Sequence, residues 1–498
     1  MLIHCCSKTV ALALPLCLAT ACVMPPAAQR PKTREQQAPT RNSSAEAPGS
    51  GGSVPSASTP QDQALDLLAM LVESGALTPE QYAALSEDPR FAEFTGAAPP
   101  ASTPVMPAAA AEPGGQPRVI LDDSGLSVRS ADGETRIDIG GRIQADASAH
   151  SRNGQAGTDI TDGTELRRAR LEMKGAMRNG WIWAAEADFA DDATSLKDFW
   201  MGVKNDDGSK LMFGHQKQPF SLAVEMSSND IPFTERGADA SLIAPFVDRA
   251  IGVRYEKPFE DSFFAAGLFG ESVAANKDDD EGWGAAARFV HAPIHDDEEV
   301  LHFGVRGAFR KPMSSTKSVR IRHETTHASN FYVVDTGTLA GVDSAALAGL
   351  EFAYVTGPLS FAGEWSTVML DRSMGDVNFD GWSLESAYSL TGESRAEAYR
   401  MSAGEFKRLK PARDAQGLDL ASGGAWELAA RVSNIDLNDG AVAGGEANML
   451  TTGVNWYPTD FTRFLFGWTN VLSTRGGSAA TNDADGLDAI TLRAQMTF

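Results

Sequence analysis

Residues 323–327 read His-Glu-Thr-Thr-His. On a helix this spacing puts two zinc ligands and a glutamate base on one face, the arrangement of a metallopeptidase. The surroundings argue for a strand and a loop instead. Val319-Arg320-Ile321-Arg322 alternates apolar and basic residues, and Thr325-Thr326 is a poor helical pair. The string is read as a chance occurrence, and no metal is expected. Ser-His-Asp constellations, Walker loops and dinucleotide fingerprints do not occur in a supporting context. No enzyme and no cofactor are therefore expected.

The remaining chemistry lies in cations at alternate positions. Arg142, Arg168, Arg170, Lys174, Arg254, Arg288, Arg306, Arg310, Arg320 and Arg322 share the parity of the polar positions around them. Along a strand, that parity is one face. The planar fork of arginine binds two oxygens of an oxyanion at once. A row of such groups on a wet face replaces part of the hydration shell of a passing anion through several weak contacts. The competing reading is that each cation pairs with an inward Asp or Glu across the same face.

The elements that hold these cations have a period of two. In Arg136–Ala149 the odd positions are Ile137, Ile139, Gly141, Ile143, Ala145, Ala147 and Ala149, alternating with Arg, Asp and Gln. Residues 181–189, 251–256, 301–310, 426–432 and 464–468 repeat the pattern. Turn-rich stretches such as Asn205-Asp206-Asp207-Gly208 and Asn438-Asp439-Gly440 separate the runs. One strand and its connection take about 24 residues, so residues 118–498 hold roughly 16 strands, within the range of outer-membrane barrels. Trp181, Trp183, Tyr255, Trp456, Tyr457 and Trp468 stand near the ends of runs, where a membrane barrel carries its aromatic girdles. The last strand ends on Phe498, a terminal aromatic of the kind that barrel assembly machinery reads. The expected fold is all-β: a transmembrane antiparallel barrel over 118–498, facing lipid outside and water inside.

Residues 1–117 are different. Residues 1–22 form an export signal with an apolar stretch from Thr9 to Leu18, too short to span a bilayer. It ends at Ala19-Thr20-Ala21-Cys22, which fits either ordinary cleavage or lipidation of Cys22. All 4 cysteines lie in this segment, so the exported chain has no disulfide. Residues 23–60 are a disordered Pro/Ser/Ala-rich linker. Residues 61–96 form a short helical hairpin whose second helix opens at Thr78-Pro79-Glu80-Gln81, serving as a spacer or as a docking element. Residues 97–117 are a second Pro/Ala linker.

Charge sets a further limit. The chain has 43 Lys+Arg against 66 Asp+Glu, a net −23 over 498 residues. A nucleic-acid partner would require a basic footprint, so none is expected. Mean hydropathy is −0.22, and no apolar run is long enough for a membrane helix. The acid excess sits uneasily with an anion path unless the acids concentrate in loops, as in Asp278-Asp279-Asp280-Glu281 and Asp296-Asp297-Glu298-Glu299.

Several blocks, in order, resemble the phosphate-selective porins of the O/P type. They are Glu165-Leu166-Arg167-Arg168-Ala169-Arg170-Leu171; Phe213-Gly214-His215-Gln216-Lys217-Gln218-Pro219-Phe220-Ser221; Val334-Asp335-Thr336-Gly337; Tyr388-Ser389-Leu390-Thr391-Gly392-Glu393-Ser394-Arg395; and Gly453-Val454-Asn455-Trp456-Tyr457. The resemblance covers roughly 118–498. It implies a 16-stranded barrel in outer-membrane lipid, a homotrimer, and diffusion of small anions such as phosphate past an inward-folded loop. Residues 223–249 are the candidate for that loop, and Arg236 and Arg249 lie in it. Lys217, from the second block, joins them as a candidate on the ion path. The alternative function class is a barrel enzyme or adhesion scaffold without channel activity.

Overall fold

The structure is a computed structural model. It describes Thr78, Ala83 and residues 116–123, 125–151, 160–273, 280–313, 317–477 and 484–498. The expected export signal, Cys22, both linkers and the helical hairpin lie outside the described residues, apart from Thr78, Ala83, Gln116 and Pro117.

Alternation of apolar and polar residues produces sixteen long strands: β1 (Arg136–Ser151), β2 (Gly163–Ala176), β3 (Trp181–Asp188), β4 (Ser195–Lys204), β5 (Lys210–Lys217), β6 (Arg249–Pro258), β7 (Ser262–Phe269), β8 (Trp283–His295), β9 (Glu299–Lys311), β10 (Val342–Thr356), β11 (Leu359–Arg372), β12 (Val377–Ser389), β13 (Ala425–Asp439), β14 (Val442–Tyr457), β15 (Thr462–Arg475) and β16 (Asp488–Thr497). Each pairs antiparallel with the next, and β16 pairs with β1 from Asp488↔Ser151 to Thr497↔Arg142. The sheet therefore closes on itself and has no free edge along its long strands. A ribbon of Arg118–Asp122 and Gly125–Arg129 adds to the start of β1. Phe498 completes the seam, because its N–H donates to Gly141 O and its carbonyl accepts from Gly141 N–H.

The two surfaces of this cylinder invert a soluble core. Ile143, Leu171, Phe213, Phe303, Phe352, Phe466 and Leu492 are exposed on the outside. Arg288, Arg463, Glu427 and Arg493 are among the most buried side chains in the molecule, each at most 2 % exposed. Trp426, Trp456 and Phe464 stack in sequence with ring centroids 5.8 and 5.7 Å apart.

At the end of the barrel that carries its N- and C-termini, six connections are only two to five residues long. Short turns of this kind mark the periplasmic rim of outer-membrane barrels. The seventh connection at this rim, residues 390–424, is far longer and was not foreseen from the sequence. It carries a small hairpin pairing Tyr399–Arg400 with Glu405–Phe406. The opposite rim carries the long connections 218–248 and 312–341.

Candidate functional site

Residues 218–248 run from β5 to β6 and contain two single-turn helices, Leu222–Glu225 and Ala240–Ile243. Their backbone has no sheet to pair with, so its polar groups must find side chains or water. The barrel's inward side chains meet that need. Arg142 donates to Ser227 Oγ at 2.9 Å, Arg463 to Ile231 O at 2.8 Å, and Arg493 to Thr234 O at 2.6 Å. Arg431 donates to Glu235 O at 3.0 Å, and Asn455 to Pro232 O at 2.9 Å. Glu351 and Glu364 accept from the N–H groups of Leu222 and Ala223 at 2.8 and 2.6 Å.

Most of the candidate cations are neutralised by carboxylates. Arg170 bridges Glu186 and Asp188 at 2.8 and 2.7 Å. Arg254 meets Glu225 and Glu256, each at 2.8 Å. Arg306 meets Glu351 and Glu364 at 3.1 and 2.7 Å. Arg310 reaches Glu271 at 2.6 Å, and Arg249 reaches Asp198 at 2.8 Å. Arg142 reaches Glu172 at 3.4 Å. Arg168 donates to Gln144 at 2.7 Å and lies 3.9 Å from Glu235.

Lys217 and Arg236 differ from these, because their hydrogen bonds go to carbonyl oxygens. Lys217 Nζ donates to Val224 O and Glu225 O, both at 2.8 Å. Arg236 donates to Ala223 O at 2.5 Å and Met226 O at 2.9 Å. These oxygens belong to the helical turn 222–225 and the residue that follows it, a partial negative charge that attracts cations. Carbonyl dipoles hold the two side chains in place, and neither has a carboxylate among the described residues within ion-pair distance.

Two cavities flank these residues. One, of about 380 Å³, is lined by Lys174, Lys210, Glu256 and the hairpin residues Ala403, Glu405 and Lys407, toward the short-turn rim. The other, of about 680 Å³, is lined by Arg167, Arg322, His323 and Tyr332, toward the long-loop rim. Lys217, Arg236 and Arg249 line both.

The His-Glu-Thr-Thr-His string lies in the connection 312–341. Arg322–Glu324 forms a short strand paired with Tyr332–Asp335 rather than a helix. His323 Nδ1 meets Ser241 Oγ at 2.9 Å, and His327 Nδ1 meets Glu165 at 2.7 Å, so the two rings serve different partners. Burial, reinforced by the charge of Arg431, pushes the His323 imidazole down to about 4, so it is neutral at pH 7. Of Arg320 and Arg322 in the same connection, Arg320 pairs with Asp335 and Arg322 lies 4.0 Å over the ring of Tyr332.

The sequence reading missed Arg395, Arg431, Arg463 and Arg493, which hold the loop, and Glu351 and Glu427, which hold the arginines. Glu427 accepts from Arg395, Asn455 and Tyr457 at 2.6, 2.9 and 2.9 Å. The available signal was a strong charge at an inward position of a strand, the same signal that selected Arg306.

A closed sixteen-stranded barrel, apolar outside and charged within, defines the class of integral outer-membrane porins, which are channels. Residues 137–498 match the family model described as phosphate-selective porin O and P. The chain belongs to that family. It is 26 % identical over 429 residues to Porin O of Pseudomonas aeruginosa, covering 76 % of this chain and 92 % of that protein. An uncharacterized protein of Caulobacter vibrioides is 28 % identical over 413 residues, covering 78 % and 80 %. The solved anion-selective porin from Comamonas acidovorans is similar at TM-score 0.48 and 12 % identity, covering 73 % of this chain and all of that one.

Proposed function

We propose that the barrel passes small anions, phosphate among them, by diffusion, and that residues 218–248 narrow the route to a neck framed by Lys217, Arg236 and Arg249. The observation that carries this reading is that, among the described residues, only these three line both cavities. Two of them, Lys217 and Arg236, make no ion pair with a carboxylate among the described residues. A barrel acidic overall selects anions if its neck is basic, since charge beyond about 10 Å is screened at 0.1 M salt. The family description adds phosphate to the reading.

Reversal potential across a planar bilayer in a KCl gradient tests it. The expected sign is that of chloride preference, and a potassium-preferring sign defeats the reading. Lys217→Glu exchanges a cation for an anion at the neck and is expected to move the reversal potential toward cations. A folded variant with unchanged potential removes Lys217 from the path.

A homotrimer fits the uneven height of the wall. The strands β3, β5 and β7 have 8 residues each, against 13 to 16 in β10–β15. Eight residues tilted by 45° rise roughly 19 Å, short of the apolar band of about 25 Å. A neighbouring copy covers that deficit. Cross-linking of cysteines placed at the outward positions Phe199 and Phe213 is expected to give trimers, and monomer alone counts against this arrangement. Phe498 is assigned as the assembly signal on the same footing.

A further inference from the structure

The inner wall between β3 and β5 is unexpectedly apolar. Ala184, Trp200 and Gly214 form one row across the three strands, and Ile182, Gly202 and Met212 form the next. These are inward positions, where the neighbouring strands carry Arg170, Glu172, Arg254 and Glu256. Elsewhere inside the barrel, apolar side chains are packed into buried clusters. Leu222, Ile231, Val300, Val355 and Phe406, for example, cover one another. Trp200 and Ile182 belong to no such cluster. Both are partly exposed, and both line the cavity of about 380 Å³. Gly214, at φ +130°, packs directly on the backbone of β4, where a Cβ would fall 2.7 Å from Trp200 Cα.

An indole on a wetted wall forgoes burial of its ring, which the hydrophobic effect otherwise favours. Cations stand around it. Lys174 is opposite Ala184 in register, lies 3.1 Å from Glu172, and its side chain is 60 % exposed. Lys210, 2.8 Å from Glu256, and the hairpin's Lys407, 2.6 Å from Glu405, line the same cavity and would exchange these carboxylates for that of a solute. The rest of the lining is mostly charged, acids among it, so Trp200 and Ile182 form one apolar strip on a polar wall, where a ring can lie while its anionic group meets the cations. Inorganic phosphate would use the cations and leave the indole idle.

We propose that this cavity is a subsite for organic anions that carry a planar apolar ring, with Trp200 stacking on the ring and the lysines meeting the carboxylate or phosphate. The proposal rests on the anion-channel reading and narrows it to a class of solute. It is tested on the full-length protein in planar bilayers by titrating the chloride current with sodium benzoate and, separately, sodium acetate. The two probes share charge and headgroup and differ in the ring.

Benzoate is expected to reduce the current at about five-fold lower concentration than acetate, the ratio that an aromatic contact of about 1 kcal/mol supplies. Trp200→Ala is expected to bring that ratio close to one, and Trp200→Phe to keep most of it. Because the ratio is taken within each variant, a change in absolute conductance does not disturb it. Equal potency in a wild-type channel of proven chloride preference overturns the subsite alone. So does a Trp200→Ala ratio that stays at the wild-type value. A potassium-preferring wild type overturns the anion reading and the subsite with it. If Trp200→Ala does not fold, loss of the ratio must instead be read in Trp200→Leu.

Discussion

Glu351→Leu is expected to unfold at markedly lower urea or temperature than the wild-type barrel in detergent, and to conduct more current if it inserts. Glu351 is fully buried in the inner wall on β10. It accepts from Arg288 Nε at 2.8 Å, Arg306 Nη1 at 3.1 Å, and the N–H of Leu222 at 2.8 Å, with His302 Nε2 at 3.3 Å. One carboxylate thus ties the wall to residues 218–248 through Leu222. Through Arg288 it also ties the wall to the hairpin in residues 390–424. Removing it strands the Arg288 guanidinium away from bulk water, while Arg306 keeps Glu364 at 2.7 Å, a change that costs about 3–5 kcal/mol for a broken buried pair. Glu351→Gln keeps the shape and one acceptor oxygen, so it is expected to fall between wild type and leucine. Heat-dependent mobility on gels and urea titration followed by tryptophan emission report the order. If leucine matches the wild type, the carboxylate does not hold the interior together.

The large features of this fold were legible because they are local. Ile137, Ile139 and Ile143 alternate with Asp138, Arg142 and Gln144 whatever the rest of the chain does, and repetition of that pattern implied the sixteen strands that the structure contains. The terminal strand to Phe498 read the same way. Partners were not legible, because they depend on how the cylinder closes. Arg493 pairs with Asp146 at 2.7 Å across the seam, 347 positions away in sequence. Parity gives the face on which Arg306 or Arg254 lies, but not the carboxylate it meets. This is why a row of apparent ion-path cations includes several that are neutralised.

The long connection 390–424 escaped notice for a related reason. Its residues alternate poorly and contain Gly, Pro and Ser, as any loop does, and nothing local says that it carries a hairpin onto the inner wall. Asp278 and Asp279, read as loop acids, lie outside the described residues, whereas Asp296 and Glu298 sit at an exposed short turn.

That hairpin supports the second large effect. Replacing Tyr399–Phe406 with a short Gly-Ser turn is expected to raise single-channel conductance several-fold without changing the sign of selectivity. The hairpin is held by Arg288, which donates to Gly404 O at 2.7 Å and Ala403 O at 3.3 Å, and by Tyr399, whose hydroxyl meets His302 at 2.8 Å. Gly404 is at φ +57°, and a Cβ there would press on Val290 at 3.0 Å, so the tip is fitted closely to β8. Ala403 and Glu405 line the cavity of about 380 Å³, and their removal widens it. The excised residues include one cation, Arg400, and one anion, Glu405, so the local charge balance is kept. Conductance reports the width of the route and reversal potential reports its charge, so this replacement separates the two. Unchanged conductance would take the hairpin out of the path. A reversed potential with larger conductance would mean that the neck at Lys217 and Arg236 does not control which ion passes.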